Sequence, residues 1–183
     1  ADIRVLKQFM KGLGIYGAEL RTGGFSGYLC ELLIIHYGSF ERAVRAMAGW
    51  GERTAIDQRG LHKGRADEAF GSNLIVVDPV DMRRNVAAAV SSRAYLELVA
   101  ASSFFVRKPS LGFFFPRPVT MGFGEVWRRL EQRGTPVVGI ATGCPPLASD
   151  ILWGELQKSL LRIVALLKEG GFRPLEWTVW SDE

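Results

Sequence analysis

The stretch YLCELLIIHYG, residues 28–38, is apolar on almost every side when it is wound into a helix. Such a helix is stable only when it is buried. Ser26 stands just before it, where its hydroxyl can accept a hydrogen bond from the first helical turn. Gly38 and Ser39 end the pattern. The sequence therefore predicts a capped helix that other elements of the chain cover.

Two further helices are predicted around this one. Apolar side chains recur at helical spacing over residues 3–13, and Gly12 and Gly14 end that helix. Residues 40–50 give another helix, with Phe40 on its apolar face and arginines on the outside. The first part of the chain is therefore predicted to be a helical domain.

The middle of the chain has a less regular pattern. Residues 51–72 are polar and predict a connecting segment with short extended pieces around residues 55–56. Residues 73–77 predict a short buried strand. Asp78-Pro79 marks a turn, because a residue before proline avoids the helical region. Residues 85–105 then predict one long helix, which Lys108-Pro109 stops before an extended aromatic loop, SLGFFFPRPV.

The pattern changes near residues 116–120, where we place a domain boundary. Helices are predicted over residues 123–133 and 150–169, and strands over 135–142 and 172–180. We therefore expect an α+β chain with a helical domain at residues 1–117. The opening elements of an α+β domain follow at residues 118–183.

Composition restricts the function only weakly. The net charge of +4 and the pI near 9.3 permit a polyanionic partner such as RNA without demanding one. The two cysteines, Cys30 and Cys144, have no metal-site spacing and indicate free intracellular thiols. No apolar run reaches the roughly 18 residues of a membrane span, and a signal peptide is not evident. We expect a cytoplasmic protein. Because it begins at Ala1 inside a helical pattern, we also expect a piece of a longer chain.

Several polar groups are candidate sites, but the residues alone favour structural roles. Asp78 and Asp81 could hold Mg²⁺, although turn formation and helix capping explain them better. His36 and His62 are the only histidines, and neither forms a triad or a zinc set with Cys30. We therefore predict no catalytic residue and no metal ligand in this chain.

Two stretches have chemistry that suits an anion. Residues 23–27, GGFSG, precede a helix whose free N–H groups could bind an anion, although a tight turn explains the glycines better. Arg83, Arg84 and Asn85 stand at the predicted start of a helix, where an arginine fork matches phosphate oxygens and base edges. The residues alone indicate a helical domain that could bind an anion.

Six motifs occur along the chain in this order: RVLKQFMKGLGIYGAE (4–19), GFSGYLCELLIIHYGSF (24–40), VVDPVDMRRNVAAAVS (76–91), PSLGFFFP (109–116), RGTPVVGI (133–140) and GGFRPLEW (170–177). With these motifs in this order, the chain resembles the archaeal, class I CCA-adding tRNA nucleotidyltransferases. The resemblance covers almost the whole chain, and the second and third motifs are long and specific.

The resemblance implies an enzyme that adds C, C and A to tRNA 3′ ends from CTP and ATP with Mg²⁺. In that family the catalytic carboxylates lie in an N-terminal head, after a Gly-Ser motif. The two Gly-Ser pairs here, Gly38-Ser39 and Gly71-Ser72, are not followed by the expected acidic pair. The chain thus resembles the helical neck and the first part of a ferredoxin-like body, with Mg²⁺ bound by the missing head. We expect it to be inactive alone.

Individual residues match nucleotide-binding positions of that family. The resemblance implies that Lys7 and Tyr16 contact the triphosphate and that Arg84 helps to read the incoming base, with Asn85 beside it. Gly23 stands where the family often has an arginine. Two alternatives stay open, an RNA-binding adaptor without catalysis and a poly(A) polymerase-like enzyme. An unpaired sheet edge in the partial body would be a place for a homodimer to form.

Overall fold

The computed structural model describes residues 1–118, 122–134, 136–143 and 147–181. These residues fall into two compact units, residues 1–116 and 117–183. Each unit is described by itself below. Cys144, Thr135 and part of the predicted boundary, residues 119–121, lie outside the described residues.

Three helices open the first unit, as the sequence predicts. They are α1 (Asp2–Gly12), α2 (Gly27–Tyr37) and α3 (Phe40–Met47). The side chain of Ser26 accepts a hydrogen bond from the Leu29 N–H at 3.1 Å, which caps α2. The helix ends at Gly38, whose φ of 85° favours glycine. The buried side chains of α2 are Leu29, Cys30, Leu32, Leu33 and Ile34.

A small parallel sheet follows the three helices. Strands β1 (Thr54–Ile56) and β2 (Leu74–Val76) pair in register, with Thr54 opposite Leu74. Parallel strands need a crossover connection, and residues 57–73 provide it with a short helix, α4 (Ala66–Ala69), that the sequence pattern did not predict. The predicted extended pieces at residues 55–56 and 73–77 are confirmed, as is the mixed α+β class.

Helix α5 spans Ser92–Arg107, so its predicted start at Asn85 is wrong by seven residues. Residues 85–90 form turns instead, and Asn85 makes an antiparallel bridge with Val77. The true start is capped by Ser91, whose Oγ accepts from the Ala94 N–H at 3.2 Å. Tertiary hydrogen bonds at Asn85 outweigh the helix propensity of the three alanines that follow it.

Aromatic rings close the core of the first unit. The ring of Phe9 on α1 lies 5.4 to 6.0 Å from those of Phe40, Phe105, Phe113 and Phe114. The last two belong to a 3₁₀ turn, Leu111–Phe113, and the residue after it, where the sequence predicted an extended loop. This turn folds back onto α1, where Phe113 and Phe114 are partly buried against the core, which removes apolar surface from water.

Cys30 is fully buried in the same core. Its Sγ lies 3.4 Å from Sδ of Met10. Burial raises the pKa of the Cys30 thiol to about 12, because the thiolate would lose its solvation there. The thiol is therefore protonated and packs as a small apolar side chain.

The second unit contains two predicted helices, α6 (Phe123–Arg133) and α7 (Ser149–Glu169). The predicted strands are not formed, because the described residues of 135–142 and all of 172–180 have no regular ladder. A strand exists only with a pairing partner, and neither segment pairs with the other. Within the described residues, no helix is both long and apolar enough to cross a membrane.

Candidate functional site

The start of α2 is the point at which polar side chains meet. Gly27 is the first residue of this helix. A Cβ atom at Gly27 would lie 3.2 Å from Oη of Tyr16 and 3.3 Å from Nζ of Lys7. The absence of a side chain therefore lets a hydroxyl and an ammonium group approach the first helical turn. Backbone N–H groups at such a turn favour an anion.

Lys7 reaches this point from α1 and is held by an acidic residue of α2. Its Nζ donates to Oε1 of Glu31 at 2.9 Å, and both side chains are partly exposed. The hydrogen bond to Glu31 is the main cause that raises the pKa of Lys7 above its ordinary value. The ammonium group is therefore charged at neutral pH. Glu31 lies one turn after Gly27, at a position that no sequence pattern indicated.

Tyr16 is placed by a close approach of two backbone segments. The Phe25 N–H donates to the Ile15 carbonyl at 2.8 Å, and the Gly17 N–H donates to the Phe25 carbonyl at 3.0 Å. Gly24 is required here, because a Cβ would stand 2.0 Å from the Ile15 carbonyl oxygen. The GGFSG stretch is thus the tight connection that the sequence predicted, while anion binding at this point stays a prediction. This connection also places Tyr16 at the start of α2.

The ring of Tyr16 is also covered by a cation. Nζ of Lys11, one helical turn beyond Lys7 on α1, lies 5.1 Å from the ring centroid. A cation over an aromatic face is attracted to the ring electrons. Backbone hydrogen bonds of the neighbouring residues therefore fix the position of Tyr16 in the chain, and Lys11 lies over one face of its ring.

Arg84 lies in the turn of residues 78–84 that follows β2, named here the Arg84 turn. Its Nη1 donates to Oδ2 of Asp78 at 3.3 Å, and 62% of its side chain remains exposed, against 5% for Asp78. The other oxygen of Asp78 accepts from the Val80 N–H at 2.9 Å. Asp78 thus anchors the arginine while the guanidinium stays accessible to a ligand.

The second acid of this turn also has a structural partner. Oδ1 of Asp81 accepts from the Arg83 N–H at 3.0 Å, inside the turn rather than at a helix start. The capping role predicted for Asp81 is therefore replaced by turn formation. Among the described residues, no group of three or more side chains has the composition of a metal site.

Asn85 differs from the other predicted site residues, because its amide is fully used within the fold. Oδ1 accepts from the N–H groups of Val76 and Ala87, both at 2.9 Å. Nδ2 donates to Oγ of Ser72 at 2.9 Å and to the carbonyl of Leu74 at 3.1 Å. An amide has two donors and two acceptor positions. Asn85 therefore ties the Arg84 turn to β2 instead of projecting into a cleft.

The structure thus brings three of the predicted residues to one region. Lys7 and Tyr16 meet at Gly27, and the adjacent Tyr28 places its Oη 3.5 Å from Oδ1 of Asp78, the acid that holds Arg84. Asn85 supports the Arg84 turn through its hydrogen bonds to β2. The arrangement offers an ammonium, a phenol, a helix start and a guanidinium, all of which suit a phosphorylated ligand.

Comparison with known proteins identifies the family. The family described as "tRNA nucleotidyltransferase, second domain" matches residues 1–115. This chain belongs to the tRNA nucleotidyltransferase family. The match covers nearly all of the first unit, including every residue of the site described above.

The family includes archaeal relatives that match the whole chain. This chain is 42% identical over 182 residues to the CCA-adding enzyme of Methanothermobacter thermautotrophicus. The matched residues are 100% of this chain and 39% of that enzyme. The CCA-adding enzymes of Pyrobaculum aerophilum and Saccharolobus shibatae are 41% and 37% identical, with 100% and 99% of this chain covered. The chain spans 40% and 41% of those two relatives. It therefore corresponds to about two fifths of such an enzyme.

Proposed function

We propose that this chain binds the incoming nucleotide and the tRNA acceptor end within a CCA-adding enzyme. The observation that carries this proposal is the approach of Lys7 and Tyr16 to the start of α2 at Gly27. A triphosphate has several negative charges, and an ammonium, a hydroxyl and a helix start together suit part of it. The family relatives, which are CCA-adding enzymes, support the same choice of ligand.

Each site residue has a distinct role in this proposal. Lys7 and Tyr16 bind the triphosphate of CTP or ATP. Arg84 reads the base, because its planar fork can donate two parallel hydrogen bonds to acceptors on a base edge. Asn85, proposed from the sequence as a nucleotide-binding residue, acts indirectly by holding the Arg84 turn on β2.

The resemblance to CCA-adding enzymes implies the remaining parts of the enzyme. Residues 1–117 would be the neck, and residues 118–183 the first part of a ferredoxin-like body. Phosphoryl transfer needs Mg²⁺ held by carboxylates, but Asp78 and Asp81 are already used by their turn. As the family resemblance implies, we assign Mg²⁺ to a head domain outside this chain and expect the chain alone to be inactive. A tRNA substrate implies a cytoplasmic enzyme, and the two unpaired segments of the body would be the place for a homodimer to form.

The deciding experiment is nucleotide addition to a tRNA that lacks its 3′ CCA. Radiolabelled CTP and then ATP are supplied with Mg²⁺ to this chain and, in parallel, to the polypeptide encoded by the full reading frame around it. We expect addition of C, C and A by the longer polypeptide alone, because only it would contain the metal-binding carboxylates.

Each other result would replace this proposal with a different one. No addition by either polypeptide, with tRNA binding retained, would indicate an RNA-binding adaptor. Addition of A alone would indicate a poly(A) polymerase-like enzyme. Addition by the 183-residue chain would place the catalytic carboxylates within it, and Asp78 and Asp81 would be the first to substitute.

A further inference from the structure

A loop distant in sequence from Arg84 holds the backbone of the Arg84 turn. This loop, residues 57–62, follows β1 and is named here the brace loop. Nη1 of Arg59 donates to the carbonyl of Pro79 at 3.1 Å, and Nε2 of His62 lies 2.6 Å from the carbonyl of Met82. A carbonyl only accepts, so the His62 ring must carry a proton on Nε2. Two of the carbonyls in the turn are thus bound by side chains of one loop.

The brace loop is itself ordered by an acid at its start. Oδ2 of Asp57 accepts from the His62 N–H at 2.7 Å. Burial alone would raise the pKa of Asp57, but hydrogen bonds from the backbone N–H groups of His62 and Leu61 lower it overall. The sharp course of the loop also uses Gly60, whose φ is 64°. His62 therefore points at the turn from a fixed backbone.

The start of the brace loop is also attached to α2. Nε2 of Gln58 donates to the carbonyl of Leu32 at 2.7 Å. Leu32 lies on the helix whose first turn receives Lys7 and Tyr16. One short loop thus contacts both the helix of the triphosphate site and the turn that carries the base-reading arginine.

We propose that His62 and Arg59 are positioning residues for nucleotide selection, which fix the Arg84 turn at a set distance from α2. This inference rests on the proposed function of Arg84. A guanidinium discriminates between bases only when its donors meet the base edge within a few tenths of an ångström, so displacement of its turn reduces selectivity. The brace loop touches neither substrate in this proposal.

Hydrogen exchange on the 183-residue chain tests the structural half of the proposal. In His62→Leu, the amides of Val80, Arg83 and Arg84 should exchange about five-fold faster, because one hydrogen bond to their turn is lost. His62→Gln, which restores an N–H donor, should return exchange toward the wild-type rate. Lys63→Asn removes an exposed charge from the neighbouring position, tolerates its φ of 50° and serves as the control. Equal exchange in His62→Leu and wild type would overturn the brace.

Nucleotide selection by the full reading-frame polypeptide tests the functional half. The measured quantity is the ratio of kcat/KM for CTP to that for ATP on a tRNA that should receive C. His62→Leu should reduce this ratio about five-fold, as expected for one hydrogen bond, with His62→Gln restoring it. Tm should change little in all variants.

A double-variant cycle separates failure of this inference from failure of the proposed function. In an Arg84→Ala background, His62→Leu should have no further effect on the ratio, because it acts through Arg84. If Arg84→Ala leaves selection unchanged, the proposed role of Arg84 is wrong, and this inference falls with it. If Arg84→Ala reduces selection but His62→Leu does not, only the positioning role is overturned.

Discussion

Gly27 has a steric role that a single methyl group can test. In Gly27→Ala, the new Cβ would press on Oη of Tyr16 and Nζ of Lys7, both of which must retreat by a few tenths of an ångström. We expect the KM for both CTP and ATP to rise about tenfold, because at least one charge-assisted hydrogen bond is weakened. The measurement is steady-state nucleotide addition by the full reading-frame polypeptide.

Stability separates this effect from a folding defect. Alanine favours a helix more than glycine does, so Gly27→Ala should not lower Tm. Gly124→Ala is the matched control, since Gly124 also lies in the first turn of a helix, but a Cβ there would meet no atom within 4 Å. A raised KM in both variants, or in neither, would contradict the steric role of Gly27.

Arg84 and its neighbour Arg83 form a natural pair for testing base selection. Arg84 is joined to buried Asp78, whereas Arg83 is 93% exposed and lies 3.9 Å from Asp81. We expect Arg84→Ala to reduce discrimination between CTP and ATP by about tenfold, the loss of one charged hydrogen bond, with tRNA affinity unchanged. Arg83→Ala should have little effect on discrimination.

Lys7→Ala provides the complementary result at the other end of the nucleotide. It should raise the KM for CTP and ATP alike, because a triphosphate is common to both. Unchanged KM values would remove Lys7 from the site.

Loss of CTP and tRNA affinity together in Arg84→Ala, with discrimination intact, would show that this arginine serves general binding.

The junction between β2 and the Arg84 turn depends on one amide. Asn85→Ala removes the hydrogen bonds of that amide and leaves the buried Val76 N–H without its acceptor. An unpaired buried donor typically costs about 1–3 kcal/mol, so we expect the free energy of unfolding to fall by about 2–3 kcal/mol. Urea denaturation of the 183-residue chain measures it.

Asn73→Ala serves as the control for this prediction. Its Nδ2 donates to the Glu52 carbonyl and its Oδ1 accepts from the Ser92 hydroxyl, both at exposed positions, so water can replace these bonds. We expect the free energy of unfolding to fall by much less in Asn73→Ala than in Asn85→Ala. Equal losses in the two variants would mean that the buried network around Asn85 contributes no special stability.

Among the helices, the sequence located most elements correctly and failed at the junction between β2 and α5. Hydrophobic periodicity and caps located α1, α2, α3, α6 and α7, because these signals are local. The start of α5 was missed because Asn85 bonds to β2, a contact that no local pattern encodes. The competing cap, Ser91, was visible in the sequence but stood inside an alanine-rich run.

The candidate site was predictable in part for a similar reason. The resemblance to the family identified Lys7, Tyr16 and Arg84 as nucleotide-binding residues. The spacing of these residues alone indicated no more than a site that could bind an anion. Glu31 and His62 were missed, because each acts on a residue that is distant in the sequence, Lys7 for the first and Met82 for the second. Such pairs become visible only when the chain is folded.

At the scale of the whole molecule, the first unit contains a complete core. Every buried residue of its main cluster lies between Leu6 and Ala101, and the aromatic rings that cover it end at Phe114. We expect residues 1–116 alone to unfold cooperatively, with a Tm within about 5 °C of the matching transition in the 183-residue chain. Differential scanning calorimetry of the two polypeptides makes the comparison. A broad, non-cooperative transition would mean that the core needs residues beyond 116.

The second unit has a different balance of exposed and buried surface. Its buried residues in α7 are Leu152, Trp153 and Val164, while Val138 and Trp180 are 79% and 75% exposed. Apolar strand-like segments predict strands from sequence, but pairing requires partners that the described residues do not provide. This is why 135–142 and 172–180 were predicted as strands, although their described residues form none.

The reactivity of the buried Cys30 thiol reports how often the core opens. A thiol with a pKa of about 12 reacts only when the packing between α1 and α2 opens and exposes it. In a Cys144→Ser variant of the full reading-frame polypeptide, with any other cysteines likewise replaced, its alkylation rate would count these openings. A nucleotide that bridges Lys7 and the start of α2 should slow that rate, about tenfold at a ligand concentration of about ten times Kd. The alkylation rate of the Cys30 sulfur would then report ligand binding, although this atom does not contact the ligand.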